Sequence, residues 1–188
     1  MRKYRFHIMY DFIVNNNYKT FVEVGLGKGP TTGYILKNIK DKDFRMWGVD
    51  PFLEYFGRIG SDKKVYNKLY SKSVQGMNAN ERKVLLAIGG DKRYTLIRKM
   101  SSEAVKDFEP ESIDIVFIDA NHNYEYVLED IDKWSKIVKS GGIVSGHDYF
   151  PNPKKSRAPG VKKAVDEYAK VHGIDFRRAA DTVWYFYK

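Results

Sequence analysis

The chain has 188 residues, of which 43% are hydrophobic and 15% aromatic, and this globular composition predicts a single domain over residues 1–188. It contains no cysteine, which excludes disulfides, zinc–thiolate sites and cysteine nucleophiles. The net charge is +9, but lysines and arginines are scattered among acidic residues, which disfavours a nucleic-acid partner. Polar residues interrupt the N-terminal segment too often for a signal peptide or membrane span, so we expect no membrane partner and a cytoplasmic location.

Short apolar runs rich in β-branched and aromatic residues alternate with segments of helical period, which predicts an α/β fold with a mostly parallel sheet. The predicted helices lie at 6–15, within 62–88, at 123–139 and at 160–173. The predicted strands lie at 20–25, 45–50, 94–99, 113–119, 141–148, 174–179 and 182–188. The last two strands leave no room for a crossover helix between them, so they should form an antiparallel hairpin.

The first predicted strand leads into three alternate glycines, Gly25, Gly27 and Gly29, followed by Pro30. In such sheets ligands bind beyond the carboxyl ends of the strands. Glycine lets the backbone turn tightly and approach a ligand, and proline suits the first turn of a helix. A dinucleotide fingerprint needs Gly-x-Gly-x-x-Gly, and Pro30 occupies its third glycine position. The spacing is therefore wrong for an ordinary NAD turn.

Two carboxylates accompany the glycines. Glu23 stands two places before Gly25, and Asp50 ends the second strand, 25 residues after Gly25. A carboxylate at the strand end suits a cationic ligand and would repel a pyrophosphate. Asp50 is placed to accept both hydroxyls of a ribose. Simpler interpretations stay open, because Glu23 can cap a turn or pair with a lysine, and Asp50 can serve an Asp-Pro turn.

The stretch "TFVEVGLGKGPTTGYIL" resembles the first motif of class I S-adenosylmethionine-dependent methyltransferases. In that family the acidic residue at the place of Glu23 meets the amino group of the methionine moiety. The resemblance therefore implies S-adenosylmethionine as cofactor, with Glu23, the three glycines, Asp50 and Asp119 among its binding residues. Met100 and Ser101, after the third strand, stand where the family lines the adenine pocket, although a serine there is also a common helix N-cap.

Four titratable residues follow the fourth and fifth strands, where parallel strands bring them to one rim: Asp119, His122, His147 and Asp148. Methylation of a hydroxyl needs a base, and histidine is the usual choice near neutral pH. His122 or His147 is the candidate catalytic base, with Asp119 and Asp148 holding either the imidazole or a metal. Alternatively, Asp119 and His122 form a local cap for the helix that begins near Asn123.

The segments "IDANHNYEYVLEDIDKW", "GGIVSGHDYF" and "GVKKAVDEY" resemble macrolide-sugar O-methyltransferases and cephalosporin-hydroxylase-like proteins, over about residues 18–170. The resemblance implies a Rossmann-like three-layer α/β/α sandwich with strand order 3-2-1-4-5-7-6. It also implies that Asp119 and Asp148 bind a divalent cation, Mg²⁺ or Mn²⁺. Relatives have a second carboxylate or an asparagine beside Asp148, whereas this chain has His147 and Tyr149. A histidine ligand would move the preference from Mg²⁺ toward Mn²⁺, Fe²⁺ or Zn²⁺.

Together these patterns predict an enzyme that methylates a hydroxyl on a small-molecule or sugar acceptor. The alternatives are an NAD-binding oxidoreductase, a nucleic-acid methyltransferase of the same fold and a non-catalytic nucleoside-binding protein. We expect the acceptor pocket between the N-terminal helix, residues 51–75 and the loop 150–160, with Tyr55, Phe56 and Arg58 available. The aromatic final strand either pairs across a homodimer or fills the core.

Overall fold

The computed structural model describes residues 3–52, 74–152, 156 and 158–188. The strands are β1 (Thr20–Val24), β2 (Arg45–Val49), β3 (Tyr94–Ile97), β4 (Ile113–Ile118), β5 (Val138–Gly146), β6 (Arg177–Arg178) and β7 (Trp184–Tyr187). The helices are α1 (Arg5–Asn15), α2 (Pro30–Asn38), α3 (Val74–Ile88), α4 (Ser101–Ala104), α5 (Tyr124–Ile137) and α6 (Pro159–His172), and a 3₁₀ turn covers Val105–Asp107. Each of the predicted strands therefore has a counterpart in the structure.

All seven strands form one sheet of order β3-β2-β1-β4-β5-β7-β6. The neighbours from β3 to β5 pair in parallel. β7 is antiparallel to both β5 and β6. The predicted fold class, strand order and antiparallel hairpin are confirmed. The chain builds outward from β1 to β3 and then returns to place β4 on the other side of β1, so the strand order reverses between β1 and β4. Such a switch point is where open α/β sheets bind ligands.

Helices cover both faces of the sheet because adjacent strand residues point to opposite sides. Phe21 packs in a buried cluster with α1 and α2, whereas its neighbour Val22 packs in a cluster with α5 and α6. Both side chains are 0% exposed. The layers therefore follow directly from the apolar character of consecutive strand residues, which is typical of a sheet buried on both sides.

The entry into β5 differs from the sequence expectation. The predicted helix 123–139 ends at Ile137, and β5 begins at the next residue, three positions before the predicted start at 141. Gly141 has φ of 77°, and the β4–β5 register shifts in this region, which allows the chain to extend without an intervening loop. β5 ends at Gly146, so His147 and Asp148 lie just beyond it.

The final strand fills the core of this chain: Trp184 and Phe186 are 1% and 5% exposed. β6 is shorter than the predicted 174–179. Among the described residues no helix combines the length and apolar character needed to cross a membrane. The predicted acceptor-pocket residues Tyr55, Phe56 and Arg58 lie outside the described residues, as does part of the loop 150–160.

Candidate functional site

The glycine turn connects β1 to α2, and its glycines serve different purposes. Gly25 has φ of 88°, and a Cβ there would collide with the backbone carbonyl of Asp119 and lie 2.6 Å from Ala120 Cα. Gly29, with φ of 75°, is the N-cap of α2, which begins at Pro30 as predicted. A Cβ at Gly27 would have no heavy atom within 4 Å. Gly27 is therefore the glycine of this turn whose half-buried backbone leaves room for a ligand.

Asp50 fixes the shape of this turn. Its Oδ2 accepts hydrogen bonds from the amides of Leu26 at 3.0 Å and Gly27 at 3.4 Å. Its Oδ1 accepts the amide of Phe52 at 2.8 Å, a residue with φ of 48°. Asp50 is therefore a turn residue, as the simpler interpretation held. An ionised carboxylate offers about four acceptor positions, so its contact with a ribose stays a prediction.

Glu23 lies beneath the turn and is 2% exposed. Its Oε2 accepts a hydrogen bond of 2.7 Å from Thr32 Oγ1 in the first turn of α2. Burial raises the pKa of Glu23 to about 8, the bond from Thr32 opposes the rise and the negative charge of Asp119 adds to it. Without a ligand the carboxyl is therefore mostly protonated at neutral pH. A nearby cation would favour its charged form, as the predicted contact with an amino group requires.

Met100 and Ser101 form a lip after β3, on the same edge of the sheet. Met100 is the N-cap of α4 and is 42% exposed. Ser101 is the first helical residue, so the interpretation of Ser101 as an N-cap is wrong. Its Oγ donates to Asp130 Oδ1 at 2.5 Å and accepts from Trp134 Nε1 at 2.8 Å. The hydroxyl is thus committed to α5, and the role of the lip at an adenine ring stays a prediction.

The four predicted rim residues do come together. Asp119 follows β4 directly and its amide donates to Val24 O of β1 at 2.8 Å. His122 Nε2 lies 3.1 Å from Asp148 Oδ2 and 3.6 Å from Asp119 Oδ1. The start of α5 is tied by Asn121, whose Oδ1 accepts the amide of Asn123 at 2.9 Å. The alternative in which Asp119 and His122 serve only as a local cap therefore loses its support.

His147 lies between acidic groups. Its Nδ1 is 3.3 Å from Asp148 Oδ1 and 3.8 Å from Asp119 Oδ1, and its Nε2 is 3.3 Å from Thr182 Oγ1. Burial opposes the charged imidazole, but the bond with Asp148 and the charge of Asp119 outweigh it and raise the pKa of His147. Burial likewise opposes ionised Asp148, yet its bond with His147 and the nearby positive charges lower the pKa of Asp148. The imidazole of His147 and the carboxylate of Asp148 therefore stabilise each other's charged forms.

Residues 22–149 match the profile of the methyltransferase domain family. The chain belongs to this family of class I S-adenosylmethionine-dependent methyltransferases. The match spans the glycine turn, the second-strand carboxylate and the whole rim cluster. This family match shows that the cofactor is S-adenosylmethionine and not NAD, as the spacing of the glycines indicated.

The methyltransferase is 26% identical over 150 residues to the uncharacterised protein R132 of Acanthamoeba polyphaga mimivirus, a match that covers 77% of this chain and 60% of that protein. Solved structures also share its fold. A Staphylococcus aureus protein described as a caffeoyl-CoA O-methyltransferase has a TM-score of 0.66 at 14% identity, covering 97% of this chain and 82% of that one. Podospora anserina PaMTH1, bound to S-adenosylhomocysteine, has a TM-score of 0.66 at 17% identity, covering 98% of this chain and 78% of that one. The O-methyltransferase NovP has a TM-score of 0.63 at 20% identity, covering 97% of this chain and 77% of that one.

The turn of the methyltransferase fits its cofactor, S-adenosylmethionine. The open space above Gly27 admits a ligand, Asp50 contacts the turn, and Glu23 lies beneath it. S-adenosylmethionine carries a positive sulfonium and an ammonium group but no phosphate, so the carboxylate of Asp50 attracts it, and its positive charge favours the ionised form of Glu23. The same surroundings would repel a pyrophosphate.

The rim also fits a divalent cation. Asp119, His122 and Asp148 each offer one ligand atom, and these atoms lie within 4.8 Å of one another. Two carboxylate oxygens and one imidazole nitrogen suit Mn²⁺, Fe²⁺ or Zn²⁺ better than Mg²⁺, which prefers oxygen ligands alone. Asp119 and Asp148 were expected as ligands from the resemblance. His122, expected as a base, occupies the position of a third ligand.

Two residues at the rim escaped the sequence analysis. Arg5, at the start of α1, places Nε 3.4 Å from Asp119 Oδ2, and its amide donates to Asp181 Oδ2 at 2.8 Å. Asp181 also lies 3.8 Å from His147 Nε2. Asp181 and Thr182 both have positive φ, 55° and 59°, in the turn between β6 and β7. The only signal in the sequence was the short "AD" connection between the last two strands, which predicts a tight turn and not a site.

Proposed function

We propose that this methyltransferase transfers the methyl group of S-adenosylmethionine to a hydroxyl oxygen of a small-molecule or sugar acceptor. The supporting observation is the convergence of two imidazoles and two carboxylates at the ends of β4 and β5, beside the glycine turn. The turn and the rim are in contact, because the backbone of Gly25 packs against that of Asp119 and Ala120. A hydroxyl at the rim would therefore lie next to the donor.

The reaction needs a proton acceptor. The hydroxyl oxygen forms a bond to the methyl carbon as the carbon–sulfur bond breaks, S-adenosylhomocysteine leaves, and the hydroxyl proton must pass to a base. We assign that role to the imidazole of His147. An imidazolium formed there is stabilised by the carboxylates of Asp119 and Asp148 on one side and of Asp181 on the other, at 3.3 to 3.8 Å. Thr182 Oγ1 holds the opposite edge of the ring.

We assign His122 to a divalent cation together with Asp119 and Asp148. Both ring nitrogens of His122 are buried, and Nε2 faces the two carboxylates. This orientation suits a metal ligand better than a base that must meet a substrate. When bound, such a cation lowers the pKa of a hydroxyl that it coordinates. Arg5, in contact with Asp119 Oδ2, then orients that carboxylate, as the groups around metal ligands commonly do.

The acceptor assignment draws on the O-methyltransferases among the structural neighbours, NovP and the Staphylococcus aureus protein. Catechols, phenols and sugars offer the hydroxyls that a cation and a base can activate. The test is methyl transfer from labelled S-adenosylmethionine to a panel of these compounds, with and without a chelator. We expect methylation of at least one acceptor and loss of this activity when the chelator is present. Adding Mn²⁺ back should then restore it.

Variants separate the assigned roles. His122→Ala should lower the affinity for Mn²⁺ by at least about 10-fold to 100-fold, which is the effect of losing a group that merely orients a metal ligand, and calorimetry measures it. His147→Gln should keep Mn²⁺ and cofactor binding but lower turnover by about 10²-fold to 10⁴-fold. Asp132→Asn, on the exposed side of α5, is the control for both. Methylation of a polynucleotide, with none of any small hydroxyl compound, would overturn the proposal.

A further inference from the structure

A buried carboxylate with no part in the proposed reaction lies in α5. Asp130 is 5% exposed, and its Oδ1 accepts the hydrogen bond of Ser101 Oγ. The same hydroxyl accepts the indole N–H of Trp134, one helical turn further along α5, and Trp134 is 1% exposed. Ser101 is therefore held on two sides by one helix, and neither of its partners is free to move in a packed core.

Ser101 begins α4 directly after the lip residue Met100. β3, β2 and β1 are parallel neighbours, so this lip lies on the same edge of the sheet as the glycine turn. α5 begins at Tyr124, five residues after Asp119 of the rim. The helix α5 thus holds the lip through Asp130 and Trp134, and its first turn lies next to the rim cluster.

We propose that Asp130 is a positioning residue for the cofactor, which through Ser101 fixes the lip formed by Met100 and Ser101 where it receives the nucleoside part of S-adenosylmethionine. The inference rests on the expected adenine pocket at this lip. It gives a function to a buried acidic group that packing alone would not favour, since an aspartate in an apolar core costs stability unless its hydrogen bonds are satisfied.

The strength of this contact depends on the charge of Asp130. A hydroxyl donates more strongly to an ionised carboxylate than to a neutral one. Burial raises the pKa of Asp130 to about 7, the bond from Ser101 opposes the rise, Glu129 adds to it and Lys133 opposes it. Glu129 and Lys133 lie on α5 itself, whereas the segment 101–107 presents the neutral hydroxyl of Ser101. Because the pKa of Asp130 is about 7, its ionisation between about pH 6 and about pH 8 should tighten the hold on the lip.

The test is calorimetric titration of the full chain with S-adenosylhomocysteine at several pH values. Asp130→Ala and Ser101→Ala should each weaken binding about tenfold at pH 8, because each deletes a hydrogen bond to a charged group. Asp130→Asn should partly restore affinity, since its amide oxygen can still accept the bond from Ser101. Asp132→Asn, an exposed change two residues away on the same helix, is the matched control and should bind as the unmodified chain does.

The pH profile distinguishes positioning from simple structural support. In the unmodified chain the affinity for S-adenosylhomocysteine should rise with pH. In Asp130→Asn this rise should be smaller, because only the ionisation of Glu23 then contributes to it. The KM for S-adenosylmethionine should rise in Asp130→Ala, with kcat at saturation retained. If circular dichroism shows that Asp130→Ala does not fold, the affinity of Ser101→Ala for S-adenosylhomocysteine tests the inference instead.

The outcomes separate this inference from the proposed function. Unchanged affinity in a folded Ser101→Ala variant, or identical pH profiles for Asp130→Asn and the unmodified chain, would overturn the inference alone. An unmodified chain that does not bind S-adenosylhomocysteine would overturn the cofactor site and this inference together. Normal cofactor binding without methylation of any hydroxyl compound would count against the proposed reaction and leave the inference standing.

Discussion

Replacing Glu23 with glutamine should make the protein more stable at alkaline pH. The pKa of Glu23 rises from its ordinary value of 4.5 to about 8 on folding, chiefly through burial. A group that binds its proton more tightly in the folded state stabilises the fold fully below pH 4.5, and this contribution is lost as pH rises to about 8. A difference of about 3.5 pH units, at about 1.36 kcal/mol per unit, corresponds to about 5 kcal/mol.

Glutamine is never charged and can still accept the hydrogen bond from Thr32. Glu23→Gln should therefore match the unmodified chain near pH 4.5 and exceed its unfolding free energy by up to about 5 kcal/mol near pH 9. In a protein of this size that is roughly 10 to 20 °C in Tm. Urea and thermal unfolding at half-unit steps of pH measure the difference. Glu109→Gln, at an exposed position, is the control.

The same substitution tests how Glu23 meets the cofactor. An ammonium group nearby favours the ionised carboxylate, so binding near neutral pH should release a proton from Glu23. Titrations in buffers of different ionisation enthalpy would detect this proton, and Glu23→Gln should lose it. Parallel stability curves for the two proteins from pH 5 to pH 9 would refute the reasoning, because they would mean that Glu23 is already ionised in the folded chain.

Three further predictions concern the turn, the rim and the sheet edge. Gly25→Ala should prevent stable folding because its Cβ meets backbone atoms, whereas Gly27→Ala should fold and lose S-adenosylhomocysteine binding; circular dichroism and calorimetry check both. His122→Ala should diminish the Mn²⁺-dependent rise in Tm, while His147→Gln should retain it. Arg93→Met should lower the unfolding free energy by about 3 kcal/mol, because this guanidinium pairs with a carboxylate and three carbonyls.

The layout of the sheet was accessible from sequence because it depends on local patterns. Apolar runs predicted the strands, and segments of helical period predicted the helices. The antiparallel hairpin followed from a connection between the last two strands that is too short for a helix. The end of α5 was missed by two residues because Val138 continues the apolar stripe of the helix while pairing with β4. Periodicity alone cannot distinguish the last turn of a helix from a buried strand that follows it directly.

The candidate site was predicted in its residues but not in its contacts. Positions at the strand ends identified Asp119, His122 and Asp148, and the resemblance assigned the two aspartates to a cation, yet nothing local showed that His122 would face both carboxylates. The bonds from Asp50 to the glycine turn were equally hidden, because they join residues 23 and 24 apart. Arg5 carries no motif at all, and its importance comes only from packing that brings α1 over the end of β4.

The hydrogen bond between the Arg5 amide and Asp181 joins residues 176 positions apart in the sequence. During synthesis on a ribosome, the glycine turn and its carboxylates emerge and can pair early, within the first strands. The rim gains its Asp181 and Thr182 contacts only after β6 and β7 have been made and docked. A chain that lacks β6 and β7 would lose these rim contacts together with the buried side chains of Trp184 and Phe186, so the rim is completed only when both ends of the chain have folded together.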